Sequence, residues 1–199
     1  MSYLLAIHDA WLNASDNLAL AQCPVCDCVL DAGAGSGRMT QRLQQVTKCK
    51  TIKTADIKNG VDLCRHWPYR SESFDLVFAN QVIEHLYHPV NFLIEAYRCL
   101  RVGGRVILAT ENLASWPNML VMLCNYMPFS LANICQRRIG RLFAVPHGWK
   151  SEDPYGSHIT VFSPRGLSDL ITIAGFRAEV KVRGWRGYFM CGVGTKELK

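Results

Sequence analysis

The sequence predicts an α/β protein built on a doubly wound, mostly parallel sheet. Short apolar stretches of strand type alternate with stretches whose apolar residues recur at helical spacing. One strand-type stretch, Phe74–Asn80, is apolar on both faces, as strands inside a parallel sheet are. Three strand–helix units in series imply right-handed crossovers and parallel pairing. Near the end of the chain, 176–183 alternates as a strand, and 184–187 is a turn into a further strand-type stretch at 188–194.

The first predicted strand, 28–30, leads into a glycine-rich turn. Glycines alternate with other residues in this turn, and Met39 and Leu43 follow it at helical spacing. A residue without a Cβ can turn sharply and lets a ligand approach the backbone. The next helix points unpaired N–H groups and the positive end of its dipole at whatever lies over the turn. We therefore predict a ligand site here, with the backbone of Gly33 and Gly35 facing the ligand.

Asp31, at the end of the first strand, indicates which kind of ligand this is. The spacing is G-x-G-x-G, and the third glycine of the dinucleotide fingerprint would fall on Arg38. A carboxylate at this point repels a pyrophosphate and attracts an ammonium group. At an effective dielectric of about 20, a charge pair about 4 Å apart is worth roughly 4 kcal/mol before desolvation. The turn therefore suits an amino-acid-like cation such as that of S-adenosylmethionine.

Two further acids extend the predicted site. Asp56 ends the second predicted strand, 19 residues after Gly37. An acid at the carboxyl end of that strand can accept both ribose hydroxyls of an adenosine. Asp62 and Leu63 come next. From the residues alone, Asp62 caps the turn that follows it.

The order of these segments over about 25–111 resembles the class I S-adenosylmethionine-dependent methyltransferases, particularly the type 11 group, with weaker similarity over 158–195. The resemblance implies S-adenosylmethionine as cofactor and a Rossmann-like sheet of seven strands, whose final antiparallel pair is 176–183 and 188–194. It also implies a short strand and loop at 61–63 that approaches the edge of the adenine, which is the alternative role of Asp62 and Leu63. It implies methyl transfer to oxygen or nitrogen of a small-molecule, lipid-linked or sugar-linked acceptor. It implies that Asn80 closes over the methionine end of the cofactor through its backbone. The full set of cofactor-binding residues that it implies is Asp31, Gly33, Gly35, Asp56, Asp62, Leu63 and Asn80.

Histidines are the candidate catalytic residues. Methyl transfer to oxygen or nitrogen needs an aligned acceptor and often a base that removes its proton. We rank His158 first, because an imidazole with a pKa of about 6.5 suits this role near neutral pH and its place after the variable insertion predicts a position at the pocket rim. His85 ranks second, with Glu84 as a support. Any of these histidines could instead be a hydrogen-bonded structural residue.

No metal is predicted. The resemblance raises a metal site, because some ubiquinone-pathway O-methyltransferases bind a metal at this place with an acidic cluster that ends in Glu-His. This sequence keeps Glu84 and His85 but has Asn80 and Gln81 where the paired acids would stand. The pair Cys23 and Cys26 has the spacing of half a zinc site, but no second C-x-x-C pair accompanies it.

The chain is predicted to be a single domain over 1–199. Its length of 199 residues, with 49% hydrophobic and 19% charged residues, is that of an ordinary globular domain. The alternating pattern lapses over about 112–157. A stretch this long is usually a lid or a binding segment, so we predict that it covers the acceptor. Its basic, amphipathic part at 136–143 suggests peripheral contact with a membrane.

Location and partners follow from weaker signals. Nine cysteines and no visible signal peptide predict a cytoplasmic protein, and no apolar run is long enough for a transmembrane segment. The net charge of +6 fits an anionic substrate, a membrane surface, nucleic acid or simply a basic surface. Nucleic acid is not expected, because 80–83 lacks the Asn-Pro-Pro-Tyr type of sequence that flanks a flipped base. The sequence does not predict an oligomeric state.

Two rival functions are weighed against methyl transfer. A nicotinamide-dependent dehydrogenase would share the glycine-rich turn, but Asp31 and the glycine spacing argue against it. A non-catalytic S-adenosylmethionine-binding partner subunit would keep the cofactor site without turnover, and the long aromatic insertion argues against that.

Overall fold

The computed structural model describes residues 13–131, 140, 142, 157–183 and 187–198. In this part of the chain, six strands form one sheet in the order β2-β1-β3-β4-β6-β5. The strands are β1 Cys28–Ala32, β2 Thr51–Ala55, β3 Phe74–Asn80, β4 Leu100–Glu111, β5 Arg177–Arg183 and β6 Phe189–Thr195. The helices are α1 at 13–20, α2 Arg38–Thr47, α3 Pro89–Cys99, α4 Trp116–Leu123 and α5 Pro164–Ile173.

The doubly wound, mostly parallel sheet with a final antiparallel pair is confirmed. β1 pairs in parallel with β2 and β3, and β3 pairs in parallel with β4. β6 runs antiparallel to both β4 and β5. Successive β1 residues show the two covered faces: Val29 packs with the cluster around α1 and α2, whereas Leu30 packs with the cluster around α3 and α5.

The described residues contain six strands where the resemblance implies seven, and 61–63 forms no strand. The chain runs from Gly60 to β3 through turns. Trp67 is fully buried in this segment, and its backbone N–H donates to the Glu95 carboxylate on α3 at 2.7 Å. The segment is therefore anchored to a helix through a side chain, and β2 is the edge of the described sheet.

Several predicted features fall outside the described residues. The basic segment 136–143 is described only at Gly140 and Leu142, and 143–156 of the insertion is not described. The lid, the membrane contact and the single-domain organisation therefore stay predictions. No helix in the described ranges is both long and apolar enough to cross a membrane.

Candidate functional site

A cavity of about 440 Å³ lies at the carboxyl ends of the parallel strands. Open α/β sheets bind their ligands at this edge, and the volume is that of a pocket for a small organic ligand. Five of the seven residues predicted to bind the cofactor line it, and they are Gly33, Gly35, Asp56, Asp62 and Leu63.

The glycine-rich turn forms one side of this cavity and needs glycine for two reasons. Gly33 and Gly37 have φ of +78° and +79°, in the left-handed region that residues with a Cβ rarely adopt. A Cβ on Gly33 would also lie 2.3 Å from Cγ2 of Val82. The Gly33 N–H donates to the Ala55 carbonyl at 2.6 Å, which ties the turn to the end of β2.

A matched pair of variants separates these two reasons. Gly33→Ala and Gly37→Ala carry the same backbone penalty of about 1–2 kcal/mol, but a Cβ at Gly37 meets nothing closer than Thr40 Oγ1 at 4.0 Å. We therefore expect Gly33→Ala to lower the melting temperature further than Gly37→Ala, with partial recovery when Val82→Ala is added. Equal melting temperatures for the two single variants would contradict this role of Val82.

Asp56 is held in place by backbone groups on both sides. One carboxylate oxygen accepts from the Gly35 N–H at 2.9 Å, and the other accepts from the Lys58 N–H at 3.0 Å. The Asn59 side chain in turn accepts from the Asp56 N–H at 2.7 Å. A carboxylate has about four acceptor sites, so each oxygen can take a further hydroxyl from the cavity side.

Asp31 and Asn80 are not among the described residues that line the cavity. Asp31 is 2% exposed, and the Thr40 hydroxyl donates to its carboxylate at 2.5 Å. Burial raises the pKa of Asp31 from 3.8 to about 6, the Thr40 hydrogen bond opposes this rise, and the charge of Asp56 adds to it. The side-chain amide of Asn80 donates to Asp16 at 2.8 Å.

Asp31 predicts a pH dependence of cofactor binding. The carboxyl group is mostly protonated below pH 6 and ionised above it, and a cationic amino group prefers the ionised form. Affinity for S-adenosylmethionine should therefore fall as the pH drops through 6, by up to about tenfold per unit. Calorimetry across this range tests it, with Asp31→Asn and the amino-acid-free ligand 5′-methylthioadenosine expected to give flat profiles. A flat profile for the unmodified protein would place the amino group elsewhere.

Sequence reasoning missed the contribution of α1. The Ser15 hydroxyl accepts from the Gln81 side chain at 3.2 Å, and Gln81 lines the cavity with a φ of +56°. Asp16 is buried and binds the guanidinium groups of Arg38 and Arg42 at 2.8 and 2.7 Å. These contacts attach α1 to the loop after β3 and to the helix after the glycine-rich turn. The apolar periodicity of the sequence contains no signal for them.

The three predicted catalytic residues come together at one end of the cavity. His85 lines the cavity, and its ring packs edge-on against that of His158, with centroids 4.9 Å apart. Backbone N–H groups of Ile159 and Thr160 donate to the Glu84 carbonyl at 2.8 and 3.1 Å, which brings the segment after the insertion onto the end of β3. His158 itself is not among the described lining residues, and its side chain is 12% exposed.

Both imidazoles are oriented by backbone carbonyls. The Nδ1–H of His85 donates to the Ser157 carbonyl at 2.9 Å, and the Nδ1–H of His158 donates to the Ser130 carbonyl at 2.7 Å. A carbonyl oxygen can only accept, so these contacts place the proton on Nδ1 and, in the neutral ring, the lone pair on Nε2. That arrangement suits proton acceptance by Nε2.

Glu84 is the buried carboxyl group of this cluster. It is 1% exposed, and one of its oxygens accepts from the Thr110 hydroxyl at 2.9 Å. The other oxygen, Oε1, has no hydrogen-bond partner among the described residues. Burial raises the pKa of Glu84 well above its usual range; the charge of His158 opposes this rise and the charge of Glu111 adds to it. The cluster can therefore exchange protons near neutral pH.

Comparison with known proteins identifies the family. A family described as methyltransferase domain matches residues 8–180. A malonyl-[acyl-carrier protein] O-methyltransferase from Marinomonas sp. is 26% identical over 120 residues, covering 51% of this chain and 44% of that protein. One from Hahella chejuensis is 31% identical over 99 residues, covering 41% of this chain and 36% of that protein. The chain thus spans less than half the length of these curated relatives.

Solved structures share the fold at low identity. An S-adenosylmethionine-dependent methyltransferase from Mesorhizobium loti has a TM-score of 0.63 at 14% identity, covering 92% of this chain and 99% of that one. The Burkholderia thailandensis 1,6-didemethyltoxoflavin-N1-methyltransferase, solved with S-adenosylhomocysteine bound, has a TM-score of 0.57 at 17% identity, covering 98% and 86%. The [4+2]-cyclase SpnF, with a TM-score of 0.62 at 16% identity over 96% and 84%, shares the fold too, so the fold alone does not set the reaction.

The family match extends over most of the chain, and it decides against the dehydrogenase. The chain belongs to the methyltransferase-domain family.

Proposed function

We propose that the protein transfers a methyl group from S-adenosylmethionine to an oxygen or nitrogen that carries a proton, on a small molecule or on an acceptor linked to a lipid or a sugar. The observation that supports this most is the cluster of Glu84, His85 and His158, which meets the cofactor cavity at His85. A hydroxyl, phenol or ammonium acceptor must lose a proton for efficient attack, and these groups accept one.

The curated relatives supply the main alternative acceptor. By name they methylate an oxygen of malonyl-[acyl-carrier protein]. The free carboxylate of a malonyl group has no proton to lose near neutral pH, so it gains nothing from a base. The buried histidines therefore favour a protic acceptor over a carboxylate.

In this proposal the cofactor occupies the 440 Å³ cavity. Asp56 takes the ribose hydroxyls, and Asp62 with Leu63 takes the edge of the adenine. The methionine part crosses the backbone of Gly33 and Gly35 toward Asp31, and the backbone at Asn80 closes over it. The methyl group then points toward His85.

The first part of the insertion, residues 112–131, supports the proposal that the insertion covers the acceptor. The Asn118 side chain donates to the Asn112 carbonyl at 2.9 Å and to the Ser130 hydroxyl at 2.8 Å, and the Ser130 carbonyl holds His158. On the same helix, α4, the apolar Met119 and Leu120 are exposed and Leu123 is 84% exposed. Exposed apolar side chains on a helix that is linked to His158 through Asn118 and Ser130 suit an acceptor with an apolar part.

Radiolabel transfer tests this proposal while the acceptor is still unidentified. The protein is incubated with methyl-labelled S-adenosylmethionine and a small-molecule extract, and the product is then treated with alkali. We expect label in a low-mass product that survives alkali, as methyl ethers and methylamines do. Release of the label as methanol would indicate a methyl ester and would contradict the proposal that the acceptor atom carries a proton. Label that stays on the cofactor with every extract fraction would favour the non-catalytic subunit.

A further inference from the structure

We propose that Glu84, His85 and His158 together bind a divalent transition-metal ion. One carboxylate oxygen and one nitrogen from each imidazole all lie within 4.8 Å of one another. With metal–ligand bonds of about 2.0–2.2 Å, the donor atoms of a tetrahedral site lie roughly 3.3–3.6 Å apart. Small side-chain rotations therefore close the site. The inference rests on the proposed function, because the ion would act on the same acceptor.

The hydrogen bonds of the two histidines fit metal ligation. Metal-binding imidazoles usually donate their other N–H to a carbonyl or carboxylate, which fixes the tautomer and the ring orientation. His85 and His158 make this contact to the Ser157 and Ser130 carbonyls at 2.9 and 2.7 Å. The lone pair that a metal needs is then on Nε2 of each ring.

The carboxylate of Glu84 supplies the electrostatic reason for a cation. Burying a charged oxygen without a partner is costly, and Glu84 Oε1 has no hydrogen-bond partner among the described residues. A second carboxylate is close, because Glu111 Oε2 lies 3.6 Å from His158 Nδ1. With both imidazoles neutral, this buried region holds two negative charges when the acids are ionised. A dication would neutralise them.

The donor set indicates the class of ion. Two imidazoles and one carboxylate suit Zn²⁺, Co²⁺, Mn²⁺ or Fe²⁺, whereas Ca²⁺ and Mg²⁺ prefer oxygen ligands alone. A bound ion of this class lowers the pKa of a coordinated hydroxyl. The sequence pattern near Glu84 predicts no metal, because Asn80 and Gln81 stand where paired acids would be. In the structure the third candidate ligand is His158, which is far away along the chain.

Cobalt binding tests the proposal without reference to activity. The protein is stripped with a chelator and titrated with Co²⁺, and its visible absorption is recorded. We expect one equivalent to bind to the unmodified protein and to His88→Ala, which changes an exposed histidine outside the cluster. Glu84→Gln, His85→Ala and His158→Ala should each weaken binding by about tenfold or more.

Controls distinguish cobalt binding at this cluster from cobalt binding by cysteine thiols and from misfolding of the variants. A thiolate-to-cobalt charge-transfer band that disappears in Cys23→Ser/Cys26→Ser would place the metal on those thiols and overturn the proposal. Glu84→Gln and His158→Ala, which change residues that are not among the described cavity lining, should keep the affinity of the unmodified protein for S-adenosylhomocysteine. For His85→Ala, which changes a lining residue, cooperative thermal unfolding shows that the protein is folded. Absence of saturable binding, or unchanged affinity in the three cluster variants, would also overturn it.

Failure of the metal proposal can be distinguished from failure of the proposed methyl transfer. If the stripped protein transfers label at the full rate and added metal changes nothing, the metal proposal fails while the proposed function stands. If label transfer requires added Co²⁺ or Zn²⁺, both are supported.

Discussion

Replacing Asp56 with alanine should weaken the binding of S-adenosylmethionine and S-adenosylhomocysteine alike, by about 100-fold or more. Both ligands contain the ribose whose hydroxyls we assign to Asp56. Two hydrogen bonds to a charged group are worth roughly 1.5–3 kcal/mol each before relaxation, and about 1.4 kcal/mol is a factor of ten in affinity. Asp56 also accepts from the N–H groups of Gly35 and Lys58, so its loss loosens both loops.

Calorimetry with three ligands measures this effect. S-adenosylhomocysteine and 5′-methylthioadenosine, which both contain the ribose, should lose affinity for Asp56→Ala in parallel with S-adenosylmethionine. Asp56→Asn keeps an acceptor oxygen for the loops but not the charge, so its loss should be smaller. Asp62→Asn, in the same cavity, should affect the ribose contacts little. Unchanged affinity of a folded Asp56→Ala protein for these ligands would place the adenosine elsewhere.

Replacing His158 with alanine should lower turnover by about 100-fold or more while leaving the affinity for the cofactor unchanged. His158 is in contact with His85 but is not among the described residues that line the cofactor cavity, so its loss leaves the predicted cofactor contacts in place. The same loss is expected whether the ring accepts the acceptor's proton or binds a metal.

The pH profile and a matched variant give this prediction its control. His88→Ala should behave as the unmodified protein does, and His85→Ala should lower turnover as His158→Ala does. Because burial holds the pKa of Glu84 above its usual range, kcat of the unmodified protein should rise with pH through the neutral range as the cluster loses protons. Full turnover by His158→Ala would move the role to His85 or leave a mechanism of positioning alone.

The sequence was sufficient to predict the architecture and to bring five of the predicted cofactor-binding residues to one cavity, because both depend on local patterns. The strands that carry the site alternate with helices at recognisable spacing. The glycine-rich turn and Asp56 are identified by their places at strand ends. In the structure both line one cavity, and Asp56 accepts from the Gly35 N–H across the two loops. Because parallel strands end at the same edge of the sheet, the positions of the glycine-rich turn and Asp56 at strand ends are enough to predict that they lie close together.

The remaining features depend on tertiary contacts that leave no local pattern. Trp67 anchors the 61–63 region to α3 through Glu95, so no strand forms where the family pattern implies one. Ser15 and Gln81 meet only because α1 folds over the end of β3. His158 reaches Glu84 through backbone bonds of Ile159 and Thr160. None of these pairs is close in sequence.

A crystal structure with S-adenosylhomocysteine bound tests the placement of the cofactor most directly. We predict the ribose hydroxyls within hydrogen-bond distance of the Asp56 carboxylate and the adenine edge at Asp62 and Leu63. The amino-acid part should lie over the backbone of Gly33 and Gly35, with the sulfur facing His85. A ligand bound outside this cavity, or one whose ribose makes no contact with Asp56, would contradict the assignment.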